Sequence, residues 1–139
     1  MSAFNALNTA IYSTLSAGTV LTALLSGTMA IYNMQAPDGA ALDYVAWNVQ
    51  GGGDDNLTAH RTKNLVLFVR GYSSTSAARA GSIDAQIDAL LHNAVLNVSG
   101  WSNFWLAREE DIATVEVTES GNTIWCAGGM YRLRLSINP

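Results

Sequence analysis

Apolar residues at helical spacing open the chain. They lie three and four positions apart: Phe4, Leu7, Ile11 and Leu15. This spacing is typical of one face of an amphipathic helix. Gly18 ends that helix, and Thr19 can cap a second short helix that Gly27 ends in turn. The pattern predicts a helical pair from Phe4 to Leu25.

Alternating positions then predict strands. A short strand is expected over Ala30–Tyr32, and the segment Ala36–Gly39 is a turn in which Pro presets φ and Gly can take φ > 0. A strand is expected over Tyr44–Val49, and a long one from about Thr58 to Tyr72. Between them, the glycine-rich tip Gln50–Asn56 is predicted to lie outside regular structure.

The segment Leu65–Val69 is apolar at every position. Such a strand is central in a sheet, or has its second face covered by a partner. The segment Ser73–Ser76 then supplies capping residues for a second helical region, predicted from about Ser76 to Asn93.

A C-terminal antiparallel pair completes the pattern. We expect one strand over Ile112–Thr118, with Ala113, Val115 and Val117 facing the core. The last strand spans Thr123–Ile137, and its glycine pair Gly128–Gly129 predicts a bulge or bend. Alternation there places the arginines Arg132 and Arg134 on one face and apolar residues on the other.

The fold class predicted is α+β: an antiparallel sheet with helices packed on one face, in a single domain over residues 1–139. Of the 139 residues, 49% are apolar, which is enough for a core, and only 13% are charged. A typical globular chain has roughly 25% charged residues. Either Ser, Thr, Asn and Gly cover the surface, or part of the surface is buried against other subunits, and we favour the second interpretation.

Charge and cysteine content narrow the function. The net charge is −4 and no basic block occurs, since the first Lys or Arg is Arg61; sequence-specific nucleic-acid binding is therefore not expected. The single cysteine excludes an intrachain disulfide. The start of the chain lacks the basic region of a secretory signal, and the uncharged stretch Ala17–Met34 is interpreted as a helix running into a strand, not a membrane span.

Several groups could carry chemistry, but each has a simpler interpretation. The run Gly51–Asp55 lacks the Lys-Ser/Thr pair of a phosphate loop and the ligands of a calcium loop, so we expect a flexible hairpin loop. Asp84 and Asp88, one helical turn apart, indicate a solvated helix face or a pair awaiting an Arg from another subunit. Cys126 is interpreted as a packed core thiol. No catalytic residue, metal site or cofactor is predicted.

Two further clusters stay open between alternatives. Glu109-Glu110-Asp111 is the densest charge run, and it is either a solvated loop between strands or a surface that meets a basic patch on a partner. The aromatic cluster Trp101–Trp105 lacks basic neighbours, which favours packing in a core or interface over stacking on a carbohydrate or a single strand.

The first third of the chain resembles a known family. In order, it carries Ile11–Ala17, Leu21–Gly27, Ile31-Tyr32, Ala36–Gly39 and Tyr44-Val45. This series resembles the tail completion or tail terminator proteins of long-tailed bacteriophages, which include head-to-tail joining proteins and relatives in gene transfer agents. Ser26 stands where that family often has glycine, and Asp43 where it often has proline. The later elements agree in kind, so that the likeness spans about Phe4 to Ile137.

The resemblance implies a structural virion protein without enzymatic activity. The α+β protomer would form a hexameric ring that caps the tail tube, ends its growth and joins it to the neck of the head, after assembly in the host cytoplasm. Its partners would be further copies, the tail tube protein and a neck or head-completion protein, while DNA passes through the lumen without specific binding. The candidate interaction residues are Gly51, Gly52, Gly53, Asp54, Asp55, Glu109, Glu110, Asp111, Arg132 and Arg134.

Two other functions remain as alternatives. The chain could be another neck component, such as a head-completion adaptor or a tube-like subunit. A small ligand-binding or hydrolytic domain would instead depend on Cys126, Asp84 or the Trp101–Trp105 cluster.

Overall fold

The computed structural model describes residues 3–27, 29–55 and 60–138. Three helices and five strands follow one another along this part of the chain. They are α1 (Phe4–Ser16), α2 (Thr19–Leu24), β1 (Ile31–Asn33), β2 (Tyr44–Asp55), β3 (Thr62–Ser73), α3 (Ala77–Leu91), β4 (Trp101–Val117) and β5 (Thr123–Ile137). The predicted α+β class is confirmed. Asn56, Thr58 and Pro139, which the sequence patterns also included, lie outside the described residues.

The helices form where the apolar spacing predicts them. Leu7, Ile11 and Leu15 of α1 are buried, so these three positions of the predicted stripe face the core, whereas Phe4 at the start of the helix is 46% accessible. Helix α3 begins after Ser76, whose Oγ accepts a hydrogen bond from the Arg79 N–H at 3.0 Å. The three helices contact one another and pack as one layer on the sheet.

The sheet is mixed, which corrects the fully antiparallel arrangement expected. Its strand order is β1-β2-β3-β5-β4, and β1 runs parallel to β2 while every other pair is antiparallel. The reason lies in residues 34–43, which carry the chain back to the end of the sheet where β1 began. The positive φ predicted for Gly39 is confirmed at +76°, while the 3.0 Å hydrogen bond from the Ala40 N–H to the Pro37 carbonyl places the turn over Pro37–Ala40, one residue later than predicted.

The sheet has two unequal faces. The face under the helices, called here the helix face, holds the core: Ile31, Val45, Trp47, Leu67, Val69, Tyr131, Leu133 and Leu135. The opposite face, called the open face, has no helix over it in the described part of the chain. Its central residues are half-buried, among them Phe68, Tyr72 and Met130. Strand β3 is central, which explains the apolar run that the sequence shows there.

Strand β2 is longer than predicted. Gln50–Asp55 continues the strand and pairs with β3 after a register shift between Val49 and Gly51. The glycines therefore serve a strand with a bulge, and the expectation of a tip without regular structure was wrong. Gly52 has φ +100°, and a Cβ there would collide with the backbone of Asn64.

Strand β4 also begins earlier than predicted. It spans Trp101–Val117, so that Glu109–Asp111 lies inside a strand and not in a loop. The bulges occur in β4, at Phe104 and Glu109, and not at the glycine pair of β5. Gly128 and Gly129 instead leave room: a Cβ on Gly128 would meet the backbone of β3, and one on Gly129 would lie 2.7 Å from the Arg108 guanidinium.

The last part of β4 is exposed, contrary to expectation. Ala113, Val115 and Val117 lie on the surface, and the two valines are 62% and 67% accessible. Alternation correctly gave them one common face, but β4 is the edge of the sheet, and Ala113 and Val115 lie beside the first turns of α3 in an open depression without being buried by it. No element of the described chain covers them there.

Two glycine-to-alanine variants test the close packing of β5. We expect Gly128→Ala to lower the free energy of unfolding by about 1–3 kcal/mol, because the added methyl group must displace the backbone of β3. Gly81→Ala in α3 is the matched control, since a Cβ there meets nothing within 4 Å. It should raise the stability by about 0.5–1 kcal/mol through helix propensity. Urea unfolding measures both, and equal effects would contradict this account.

Candidate assembly surfaces

Part of the predicted set lies together at one end of the open face, namely Gly51, Gly53, Glu109, Arg132 and Arg134. Residues opposite one another across the four strands form a row: Gly53, Asn64, Arg134 and Trp105. The next row contains Gly51, Val66 and Arg132. Because glycine has no side chain, this end of β2 leaves the side chains of β3 uncovered.

A polar groove of about 490 Å³ lies at this end of the sheet. Within it, the Arg132 Nε is 2.9 Å from a carboxylate oxygen of Glu109, and its Nη1 donates to Asn64 at 3.2 Å. Arg134 also lines the groove, and its guanidinium has no hydrogen-bond or ion-pair partner among residues 3–27, 29–55 and 60–138. The exposed ring of Trp105 completes the wall.

Trp105 and Asn64 were not among the interaction residues chosen from the sequence. Trp105 stood out only as part of an aromatic cluster, which the structure divides. Trp101 packs in the core, while Phe104 and Trp105 are 54% and 53% accessible. Strict alternation would place Trp101 and Trp105 on the same face, and the bulge at Phe104 moves Trp105 to the other one.

The acidic candidates are mostly paired within the chain. Asp54 accepts a 2.6 Å hydrogen bond from Lys63 and lies 3.4 Å from Arg61, and the Lys63 bond lowers the pKa of Asp54 below its ordinary value. Asp111 accepts from Arg108 at 2.8 Å. Glu110 is exposed and has no partner in the described residues. The candidate residues therefore form several small charge pairs and not one acidic patch.

The strongest charge cluster is centred on Arg108. Its guanidinium binds both carboxylate oxygens of Asp84 at 2.8 Å, and it donates to the Gly128 carbonyl at 2.7 Å and to the Tyr131 hydroxyl at 3.2 Å. The Tyr131 hydroxyl in turn donates to Asp88 at 3.0 Å. The hydrogen bond to Asp84 raises the pKa of Arg108, and burial raises the pKa of Tyr131. The cluster joins α3 to β4 and β5.

This cluster shows which partner the two aspartates of α3 have. They were expected to be solvated or to await an arginine from another subunit, but Arg108 of the same chain fills that role. Local periodicity could not reveal this pairing, because Arg108 lies 24 positions after Asp84, in the strand that follows the helix. Cys126 is buried as expected, and burial raises the pKa of its thiol. Among the described residues, no group of His, Cys, Asp and Glu is arranged to hold a metal ion.

A second depression lies between α1 and the edge strand β1. This cleft, of about 430 Å³, is lined by uncharged residues: Asn8, Thr9, Tyr12, Ser13, Ile31, Tyr32, Asn33, Gln35 and Trp47. The Trp47 indole N–H donates to the Asn8 side chain at 3.2 Å, and the Tyr12 ring lies 6.3 Å from that of Trp47. The exposed side chains of Met29 and Met34 flank β1 on either side along the chain. Sequence reasoning missed this cleft, because it brings together helix and strand residues far apart in the sequence.

Comparisons with known proteins give a similarity in fold. No family model matches the chain, and no curated protein matches it. Among solved structures, the chain is similar to one from the virion of a native gene transfer agent particle. The TM-score is 0.76 at 22% sequence identity, over 94% of this chain and 94% of that one. No helix in the described ranges is long and apolar enough to cross a membrane.

The Arg108 cluster predicts that removing two different arginines will have very different effects on the free energy of unfolding. Arg108→Ala should lower the free energy of unfolding by about 2–3 kcal/mol, because Asp84 loses both charge-assisted hydrogen bonds where it is largely covered. Arg134→Ala, which removes an arginine without a partner in the described residues, should change stability by less than about 0.5 kcal/mol. Chemical denaturation of both variants measures the difference, and similar losses would refute a special role for Arg108.

Proposed function

We propose that this chain is a structural protein of a tailed, phage-like virion, and that it acts as the tail terminator. The observation that carries the proposal is the similarity in fold to a gene transfer agent virion chain over nearly the whole of both proteins. The ordered motifs from Ile11 to Val45, which resemble tail completion proteins, point in the same direction.

Surface features support assembly as the mode of action. The open face leaves aromatic and apolar side chains without a helix over them, and a groove at its end contains Arg132 and Arg134. The sheet also has two edges, β1 and β4, both bordered by exposed apolar residues. In the proposed function, copies of the chain form a hexameric ring, whose two sides contact the tail tube protein and a neck or head-completion protein.

The charge distribution suits a ring through which DNA passes. Of the seven Lys and Arg residues, five lie within 4 Å of a carboxylate of the same chain. Arg70, whose guanidinium lies 5.2 Å from the Phe68 ring, and Arg134 are the other two. A net charge of −4 with few uncompensated cations gives DNA little to bind. No enzymatic step is part of this proposal, and assembly would take place in the host cytoplasm.

Omission of the protein from particle assembly tests the function directly. We expect tail tubes of uncontrolled length and heads without tails, because tube growth would lack its stop and its junction. Cryo-electron microscopy of complete particles with the labelled subunit should show one sixfold ring between tube and neck. A twelvefold ring would identify a head-completion adaptor instead, and absence from the particle would overturn a virion role.

Charge reversal in the groove tests its part in joining. We expect Arg134→Glu to reduce the yield of joined particles at least about tenfold, because an acid would replace the one groove cation without an ion-pair partner in the described chain. Asp38→Arg, in the exposed turn before β2, is the control with an equally large change in charge. Both should unfold at the wild-type denaturant concentration. An unchanged yield for Arg134→Glu would exclude a docking role for the groove.

A further inference from the structure

The outer edge of β1 has main-chain groups directed away from the sheet. Alternate residues of a strand direct both their N–H and C=O to the same side. The Ala30 carbonyl accepts from Val45 and the Met34 N–H donates to Trp47, so these positions face β2. Ile31 and Asn33 therefore face outward. Their side chains line the cleft beside α1, which places them on the helix face.

The outer edge of β4 is protected near its middle. The Leu106 carbonyl accepts from the Asn93 N–H at 2.8 Å, and the Arg108 N–H donates to the His92 ring at 3.0 Å. His92 and Asn93, which follow α3 directly, thus cap these outward groups. Beyond the bulge at Glu109, no such contact covers the edge in the described part of the chain.

The far half of β4 combines main-chain direction and side-chain face in the same way as β1. The Thr118 N–H donates across the hairpin to Asn122, so Thr118 faces β5, and Val117 and Val115 direct their main-chain groups outward. Val115 lines a depression with Ala77 and Ala80 of α3, so its side chain is on the helix face. On both edges, therefore, the residues whose main-chain groups point outward have their side chains on the helix face. Pairing the two edges would continue the sheet with every helix layer on the same side.

Strand direction fits a cyclic arrangement. Through the order β1-β2-β3-β5-β4, β4 runs antiparallel to β1. A rotation about an axis along the strands keeps their direction, so β4 of one copy would meet β1 of the next as an antiparallel pair. Two different edges of one chain make a heterologous contact, which closes into a ring when the rotation allows.

Side chains on the two edges are also complementary. The exposed valines of β4 would lie over the uncharged cleft beside α1, which has the volume to receive them. Glu116 alternates with these valines and points to the open face, where Arg70 lies in one row with Tyr32 and Ala46. The neighbour's Glu116 would thus bring an anion to the face that carries an uncompensated cation. No charged residue occurs between Met29 and Ala36 to oppose this approach.

We propose that the segment Ile112–Val117 of one copy adds as a strand to the outer edge of β1 of the next copy, with its valines in the cleft beside α1. The inference rests on the proposed ring function and identifies the interface that builds the ring. Main-chain hydrogen bonds supply the affinity of such strand addition, and the side-chain pockets supply its specificity.

Cysteine pairs test the contact. Directly opposite residues in a hydrogen-bonded antiparallel pair have Cα atoms about 5.5 Å apart, within the range of a disulfide. In a Cys126→Ser background, Asn33→Cys mixed with Val115→Cys or Val117→Cys should form intermolecular disulfides under mild oxidation. Thr114→Cys is the matched control, because its side chain points to the other face and its main chain to β5. Cross-linking of Thr114→Cys as readily as of the valine positions would overturn the proposal.

Proline at the edge gives an independent measurement. Val115→Pro removes an outward N–H that the fold does not use, so the monomer should stay folded by circular dichroism while association weakens by about tenfold or more. Analytical ultracentrifugation up to about 1 mM protein measures association. A wild type that is monomeric throughout and forms no cross-link would overturn the inference. So would oligomers that are unaffected by Val115→Pro, although the ring function would then stand. If the valine positions form cross-links but the protein is absent from particles, this interface is supported and the virion role is contradicted.

Discussion

The exposed end of β4 depends on the bidentate contact between Arg108 and Asp84. A strand at the edge of a sheet has one neighbouring strand, and β4 extends for 17 residues with β5 alone beside it. Arg108 attaches the middle of this strand to α3 from the helix face, while His92 and Asn93 cap its outer groups just before. Beyond Arg108, the remainder of the strand is held to the sheet by its pairing with β5.

The glycines of β5 are part of the same arrangement. An arginine on the helix face needs space above the strand beside it, and Gly129 provides it, because a Cβ there would lie 2.7 Å from the guanidinium. The Gly128 carbonyl accepts one of its hydrogen bonds. Burying a guanidinium requires that its donors be satisfied. Here two aspartates of α3, one of β4, a tyrosine hydroxyl and a carbonyl share that task.

Local sequence patterns predicted the elements whose signal is local. The stripe of α1, the serine cap of α3 and the turn at Gly39 each depend on residues within a few positions, and the structure confirms them. The far end of β4 shows the limit of that reasoning. Alternation correctly placed Val115 and Val117 on one face, but whether that face is covered depends on how far the helix layer extends. That is a property of the assembled sheet.

For the candidate surfaces too, sequence patterns predicted local features and missed those that depend on the assembled sheet. The sequence correctly grouped Arg132 with Arg134, because alternation is local, but the groove around them also needs Trp105 and Glu109, which two bulges place. The mixed sheet was missed because the direction of β1 is set by residues 34–43, whose path no periodicity reveals.

The few charged residues of this chain are used mostly within the protomer. Most cations are used inside the chain, to hold Asp43, Asp54, Asp84 and Glu109. The surface left over is a sheet with an uncharged cleft at one edge and exposed valines at the other. Monomeric proteins commonly block such edges with charge, proline or a covering loop, because free strand edges recruit other chains. Here His92 and Asn93, just after α3, cap β4 at Leu106 and Arg108, and within the described residues nothing covers the edge beyond Glu109. A selective cap of this kind limits pairing to one segment, and so it favours a defined contact between copies over indiscriminate aggregation.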